Sequence, residues 1–389
     1  MKRYFADMHI HIGRTETGRA VKITGSKTLT LSNILYVAKN LKGIDMVGVI
    51  DCHSPEVIEE MEALIEIGDL QPMEDGGLLF QGKTTLIPGS ELEIYDLSCD
   101  GPIHVLCFLP SIEKLKDFSS WLTTQLKNIH LSSQRVYTQG RELQKKVKEL
   151  GGLFIPAHVF TPFKSLFGKG VKQRLDQVFD PELIDAIELG LSSDTEMADH
   201  LSQLHRYSYV TNSDAHSLPK IAREYQALLL DHPSFSEFEK ALTARDGRKI
   251  LANYGLDPLL GKYHETTCAK CLTPVKPGID QCPNCGSKNV TKGVADRIKE
   301  LSDAESHPDR PPYIHQVPLE FLPGIGPKTL KKLLKKFGTE MVIIHDATLE
   351  ELREILPEKT AQLILKAREG TLSLHAGGGG RYGKIKEEE

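Results

Sequence analysis

At 389 residues the chain exceeds one ordinary domain, and its composition is that of a globular protein able to bury a sizeable core. A net charge of -5 excludes a wholly basic nucleic-acid coat, although a global sum hides local basic patches. No apolar run reaches bilayer length and the first residues lack the succession of a secretory signal, so a cytoplasmic protein without a membrane partner is expected.

From residue 1 to 262, short apolar runs alternate with amphipathic stretches, the pattern of strand and helix units around a parallel sheet or barrel. The strand-like runs are Tyr4 to Ala6, Met46 to Ile50, Thr85 to Ile87, Val105 to Leu109, Leu153 to Ile155, Ala186 to Leu189 and Tyr209 to Thr211. Helical periodicity marks Asn33 to Leu41, Val57 to Ile67, Arg135 to Leu150, Glu196 to Tyr207 and Phe235 to Ala244. Seven strands of this kind predict an α/β barrel.

Metal-ligand residue types gather next to those runs. Asp7-Met8-His9-Ile10-His11 puts two imidazoles on one face of an extended segment, because strand side chains alternate with period two. A lone His-x-His pair also fits a half-buried strand, so its meaning depends on what converges with it. Asp51 and His53 follow the second run, Glu91 the third and His158 the fifth; His104 opens the fourth, Glu188 lies in the sixth, and Asp214 and His216 follow the seventh. In a barrel, loops at one end of the strands bring residues two hundred positions apart into one site. Clustered cations suit phosphodiester cleavage, since they acidify water, orient it in line and stabilise charge on the leaving oxygen. Arg14, Arg19 and Lys22 stand on the adjacent loop, where they can meet phosphates or merely be solvated. His130, His200, His205 and His232 show no such placement and are read as structural.

Residues 263 to 301 carry Cys268-Ala269-Lys270-Cys271 and Cys282-Pro283-Asn284-Cys285. Two CxxC turns at this distance predict one tetrahedral structural zinc, each knuckle bringing two thiolates to the ion. So small a segment cannot build a core, so metal binding would supply its folding free energy. Cys52, Cys99 and Cys107 show no framework, in keeping with a reducing compartment.

The last part, 302 to 389, opens with a polar, proline-bearing stretch from Ser302 to Pro312 that reads as a linker. Leu322-Pro323-Gly324-Ile325-Gly326-Pro327-Lys328 then closes a hairpin and opens a helix through Phe337. Gly324 and Gly326 allow close backbone approach to a phosphate, and free amides at the helix start point at it. Lys328, Lys331, Lys332, Lys335 and Lys336 lie away from the apolar face of Leu330, Leu333, Leu334 and Phe337, which predicts DNA backbone binding without base preference. Thr348 to Gly370 reads as two further helices, and Gly377 to Gly383 as a glycine-rich tail.

Asp7-x-His9-x-His11, Gly89-Ser90-Glu91-Leu92-Glu93, Pro156-Ala157-His158 and Ser213-Asp214-Ala215-His216 resemble motifs of the polymerase and histidinol phosphatase superfamily, metal-dependent phosphoesterases on a distorted seven-stranded barrel. More narrowly, Ile155 to Phe163 and Glu188 to Asp194, followed by a zinc-ribbon and a helix-hairpin-helix, resemble the endonuclease Q family. The resemblance implies a barrel over 1–262, a zinc-ribbon over 263–301, and a linker with an all-α helix-hairpin-helix over 302–389. It implies that His9, His11, Glu91 and Asp214 hold one divalent metal, that Glu91 bridges to a second held with His104 and His158, and that His216 with Asp51 or His53 belongs to a third. Glu91, Asp214 and His216 are the residues it assigns to catalysis. Asp51-Cys52-His53 departs from the usual Asp-His pair and the 13–17 loop lacks a histidine, which leaves the third position open. The donors suit zinc, manganese, iron or magnesium alike.

The implied activity is hydrolysis of DNA on the 5′ side of hypoxanthine, uracil or an abasic site, by a nucleoid-associated DNA repair endonuclease. Gly324, Gly326, Lys328, Lys331, Lys332, Lys335 and Arg14 are the expected DNA contacts, and a sliding clamp is a conceivable protein partner. The alternatives are a small-molecule phosphoesterase on the same fold and a DNA-binding adaptor whose barrel is only structural.

Overall fold

The computed structural model describes the chain except residues 262, 277, 280, 373, 376–383 and 386–389, with backbone alone at 374–375 and 384–385. The glycine-rich tail expected at 377–383 lies outside the described residues.

The first strand, β1 (Lys2–Ile10), is the centre of the main sheet and pairs in parallel with β2 (Met46–Val49). A hairpin of β3 (Leu70–Pro72) and β4 (Leu78–Phe80) lines the edge of the long strand β5 (Thr84–Ile94), whose front half pairs in parallel with β2. Beyond Pro88 the pairing of β5 changes: Gly89 to Ile94 run antiparallel to β6 (Ile103–Phe108), and Glu93 and Ile94 also pair with β7 (Arg135–Val136). The next strand, β8 (Leu153–Pro156), lies antiparallel to β6, while β9 (Ala186–Glu188) and β10 (Ser208–Val210) form a separate parallel pair. On the other flank of β1 stand the antiparallel strands β11 (Tyr225–Leu230) and β12 (Lys249–Gly255).

All seven expected runs are strands, and side chains from each, among them Met8, Met46, Ile87, Leu106, Ile155, Ala186 and Val210, meet in one apolar cluster. Their ladders do not close into a seven-stranded ring, however. The main sheet holds eleven strands, and β9 with β10 stands apart from it. The architecture is therefore mixed α/β.

Two helices differ from expectation. The stretch from Arg135 begins as strand β7, and its helix starts only at Gly140, whose amide is held by Asp96 Oδ2 at 2.7 Å. The Glu196–Tyr207 periodicity yields a short helix at Thr195–Ala198 and a tight turn at Ser202–Leu204, because the Ser202 amide is taken by Asp303 at 2.7 Å instead of continuing the helix.

The Ser302–Pro312 stretch read as a linker is fastened to what precedes it. The Arg310 guanidinium lies 2.9 Å from the buried Asp199 carboxylate and 4.0 Å over the Tyr209 ring. Directly after it β15 (Tyr313–His315; β13 and β14, Thr267–Cys268 and Val290–Thr291, belong to the cysteine-bearing segment) adds to β12 in parallel. Prolines there forbid helix, but they leave side chains free to anchor.

Four helices follow β15, at Pro327–Phe337, Glu340–His345, Leu349–Arg353 and Glu358–Glu369. They pack on the outer face of β1 and β11: the His345 ring stacks on Phe5 at 4.4 Å, and its Nε2 lies 2.7 Å from the Tyr225 hydroxyl, which donates to Gln316 Oε1. Lys42 and Glu340 form a buried pair at 2.9 Å between the same two parts.

Candidate metal centre and nucleic-acid interface

Glu91 lies where β5 changes from parallel to antiparallel pairing, so its carboxylate faces the carboxyl ends of β1, β8 and β10 and the amino end of β6. His104 stands at that amino end, and only an antiparallel strand brings it there. Around Glu91 two groups of ligand atoms each fall within 4.8 Å: His9, His11 and Asp214, and Glu91, His104 and His158. Glu91 Oε1 is 2.8 Å from His104 Nδ1, 3.4 Å from His158 Nε2 and 3.6 Å from His9 Nε2. Its other oxygen is 3.7 Å from His11 Nε2. Asp214 Oδ1 lies 3.5 Å from His9 Nε2 and 3.4 Å from His11 Nε2.

The two imidazoles of β1 are aimed from behind. His9 Nδ1–H donates to Glu188 Oε1 at 2.9 Å, and His11 Nδ1–H to Asp51 Oδ2 at 3.0 Å, which turns both Nε2 atoms toward Asp214 and Glu91. Those Nε2 atoms, together with Asp214 Oδ1, are buried and have no hydrogen-bond partner. Buried polar atoms are rarely left so, and a divalent cation in each group fits this donor set. Burial alone would raise the Glu91 carboxyl, but His104 and Lys22 beside it hold it well below the ordinary range. For His9, burial pulls the pKa down while Glu188 and Asp214 outweigh it and carry it to about 10. The backbone is strained at two of these positions, since His158 has φ +32° and Asp214 φ +45°.

The structure separates the residues expected at a third position. Asp51 stands behind His11 and also accepts from the Ile12 amide at 2.8 Å, so it braces a ligand and is turned away from the cluster. His53 is buried with both ring nitrogens unpartnered and belongs to neither group. His216 is at the rim, its ring 4.5 Å from that of His11 and its Nδ1 3.4 Å from Asp214 Oδ1. Asp7 is a latch: its carboxylate accepts from the amides of Ser213 at 3.0 Å and Ala222 at 2.8 Å.

Lys22 reaches Glu91 Oε2 at 3.1 Å, and Ser133 bonds the same oxygen. The sequence offered the lysine as a phosphate-binding candidate, whereas a serine pair in a polar loop carries no signal of its place beside His11 and Glu91. Of the other loop cations, Arg19 is paired with Glu56 and Arg14 is half-buried. A cavity of about 220 Å³ opens over the cluster, and Lys22, Phe163, Lys164 and His216 are on its walls. A neighbouring one of about 230 Å³ is bounded by Glu188, Ser192, Asn212, Arg223 and Tyr263.

The four expected cysteine thiols also converge, all within 4.8 Å, with Cys268 and Cys285 sulfurs 3.6 Å apart and those of Cys271 and Cys282 3.4 Å apart. Four thiolates about 2.3 Å from one tetrahedral zinc would stand roughly 3.8 Å from one another, so the set fits that ion.

In the C-terminal helices, Gly324 takes φ +88° and a Cβ there would meet Thr360 Oγ1 at 2.7 Å, which reserves the turn for glycine. Gly326 then caps the helix that begins at Pro327. Lys328, Lys331, Lys332 and Lys335 are exposed along it, and Lys336 is tied to Glu354 at 2.7 Å.

Residues 318–369 match the SAM-like helix-hairpin-helix tandem family. The uncharacterized protein YqxK of Bacillus subtilis is 60% identical over 387 residues, covering 99% of this chain and all of that one. The crystal structure of the lesion-specific endonuclease PfuEndoQ from Pyrococcus furiosus superposes with a TM-score of 0.85 at 31% identity, over 99% of this chain and 95% of that one. A structure of Endonuclease Q complexed with a 27-mer duplex bearing an abasic lesion at the active site gives a TM-score of 0.84 at 31% identity, over 100% and 97%. With similarity at this level along its whole length, the chain belongs to the endonuclease Q family.

Proposed function

We propose that this protein is a DNA repair endonuclease that hydrolyses the phosphodiester on the 5′ side of a deaminated base or an abasic site. The observation that carries the reading is the Glu91 carboxylate set between two histidine groups, in a chain that matches a lesion-specific endonuclease from end to end. His9, His11, Glu91 and Asp214 would hold one divalent cation, and Glu91, His104 and His158 a second. Cations in such a pair acidify water and neutralise charge building on a phosphate.

The chain's own residues supply the rest. Lys22 presents a positive charge at the cluster where a phosphate would enter, and Asp51 and Glu188 fix the imidazoles. We assign the 230 Å³ cavity to an extruded nucleotide, because a damaged base unpairs at lower cost than a sound one. Gly324, Gly326 and the exposed lysines from Lys328 to Lys335 hold the duplex backbone, and the four cysteines hold a structural zinc between the two parts. A DNA partner is supported by the relative's complex; a sliding-clamp partner has no such support. Among the described residues no helix is long and apolar enough to cross a membrane.

The test is to incubate duplexes carrying inosine, uracil, an abasic site or no lesion with divalent metal and to map the products on a sequencing gel. Cutting is expected 5′ of each lesion and absent from intact DNA. Glu91→Gln and Asp214→Asn should abolish it while DNA binding persists. Hydrolysis of nitrophenyl phosphate alone would favour a small-molecule phosphoesterase, and hydrolysis of nothing would favour an adaptor.

A further inference from the structure

A second surface begins where the metal centre ends. Four residues beyond Glu91, Tyr95 opens a groove of about 1010 Å³ whose walls include Leu97, Arg135, Tyr137 and Arg141. Ser132 and Ser133, in contact with His11 and Glu91, lead into the same groove through β7. Both segments thus connect the cluster to the groove, across roughly 13 Å at about 3.3 Å per extended residue.

The groove carries a ladder of rings and cations. The Arg135 guanidinium lies 4.8 Å over the Tyr95 ring and 5.3 Å over that of Tyr137, and the Lys127 ammonium lies 5.1 Å over Tyr137. Arg135 also donates to the Tyr95 carbonyl oxygen, which fixes its plane between the rings. Tyr95 is 39% and Tyr137 50% exposed, and Leu97 of the same groove wall is wholly exposed. Asp96, the acid of the groove wall, is held as a carboxylate by the amides of Ser98 and Gly140, both at 2.7 Å, and it faces two cations on the same wall, Arg135 and Arg141, with Lys127 over Tyr137 beside them, so positive charge is in excess.

Exposed rings interleaved with cations are what an unpaired nucleic-acid strand needs: bases stack on the rings and phosphates meet the charges. A duplex offers no free base face. We propose that the Tyr95–Arg135–Tyr137 ladder is a stacking platform for unpaired nucleotides flanking the cut, roughly four nucleotides away at about 3.4 Å per nucleotide. The proposal rests on the nuclease reading above, and a binding measurement separates the two.

The full chain is titrated by fluorescence anisotropy with a fully paired lesion duplex. It is also titrated with two duplexes carrying a six-nucleotide unpaired arm that begins four nucleotides from the lesion, one arm on each side. Wild type should bind one armed duplex at least fivefold more tightly than the paired one. Tyr95→Ala with Tyr137→Ala should erase that preference, Tyr95→Phe with Tyr137→Phe should keep it, and incision of the paired duplex should stay within twofold throughout. No arm preference in wild type, an equal loss on paired and armed DNA in the alanine variant, or phenylalanine behaving like alanine would each overturn the platform. Failure of wild type to cut the paired duplex would sink the nuclease reading instead.

Discussion

Glu188 holds Nδ1 of His9 at 2.9 Å while the backbone amide of His158 donates to its other oxygen at 2.8 Å, so one buried carboxylate braces a histidine of each candidate metal group. Asn212 Nδ2 fixes that carboxylate at 2.7 Å. Replacing a group that orients a ligating histidine typically weakens metal binding by about 10–100-fold. Glu188→Gln is therefore expected to lower the affinity of the centre by that factor. Calorimetric metal titration checks it, and wild-type affinity would show that His9 needs no brace.

The lysine face makes a different prediction. Because Lys328, Lys331, Lys332 and Lys335 are exposed on a helix that opens at Gly326, their joint replacement by alanine should weaken binding to damaged and intact DNA alike. The slope of log affinity against log salt should shrink by roughly 0.9 for each phosphate no longer neutralised. A loss confined to damaged DNA would mean that the helix reads the lesion and not the backbone.

Two buried groups contribute to the pH dependence of stability. Burial chiefly, with Arg3 and Arg368 nearby, lowers His345 to about 3, so the unfolded chain takes up a proton that the folded one refuses. Its contribution is present above the ordinary histidine value of 6.5 and is lost as pH falls toward 3. Burial raises Glu224 to about 8, so its contribution is present below the ordinary 4.5 and is lost as pH rises through 8. Melting temperature against pH should thus fall on both sides, with Glu224→Gln flattening only the alkaline limb and His345→Gln only the acid one. Unchanged limbs in both variants would place the titration elsewhere.

Most of the centre was legible because its donors are chemically distinctive and end strands whose apolar runs are plain. His9, His11, Glu91, His104, His158 and Asp214 all fall within the two groups. Asp51 was legible as a ligand type but not as a brace, since the choice between touching a cation and touching His11 is made by tertiary packing alone. Strand β11 escaped because its unbroken apolar part is only Ala227 to Leu230, a run that a buried helical segment would give equally well. The Ser302–Pro312 anchor escaped for a related reason: a polar, proline-bearing composition describes the backbone and says nothing of where Arg310 and Asp303 reach.

The positive φ angles at His158 and Asp214 bear on how this protein can change. A non-glycine residue held there costs on the order of 1–3 kcal/mol, and glycine at either place would relax the backbone while removing a side chain that the proposed metal centre uses. Heat resistance and activity therefore pull in opposite directions at these two positions, and a selection for thermal survival alone would drift toward folded, inactive chains.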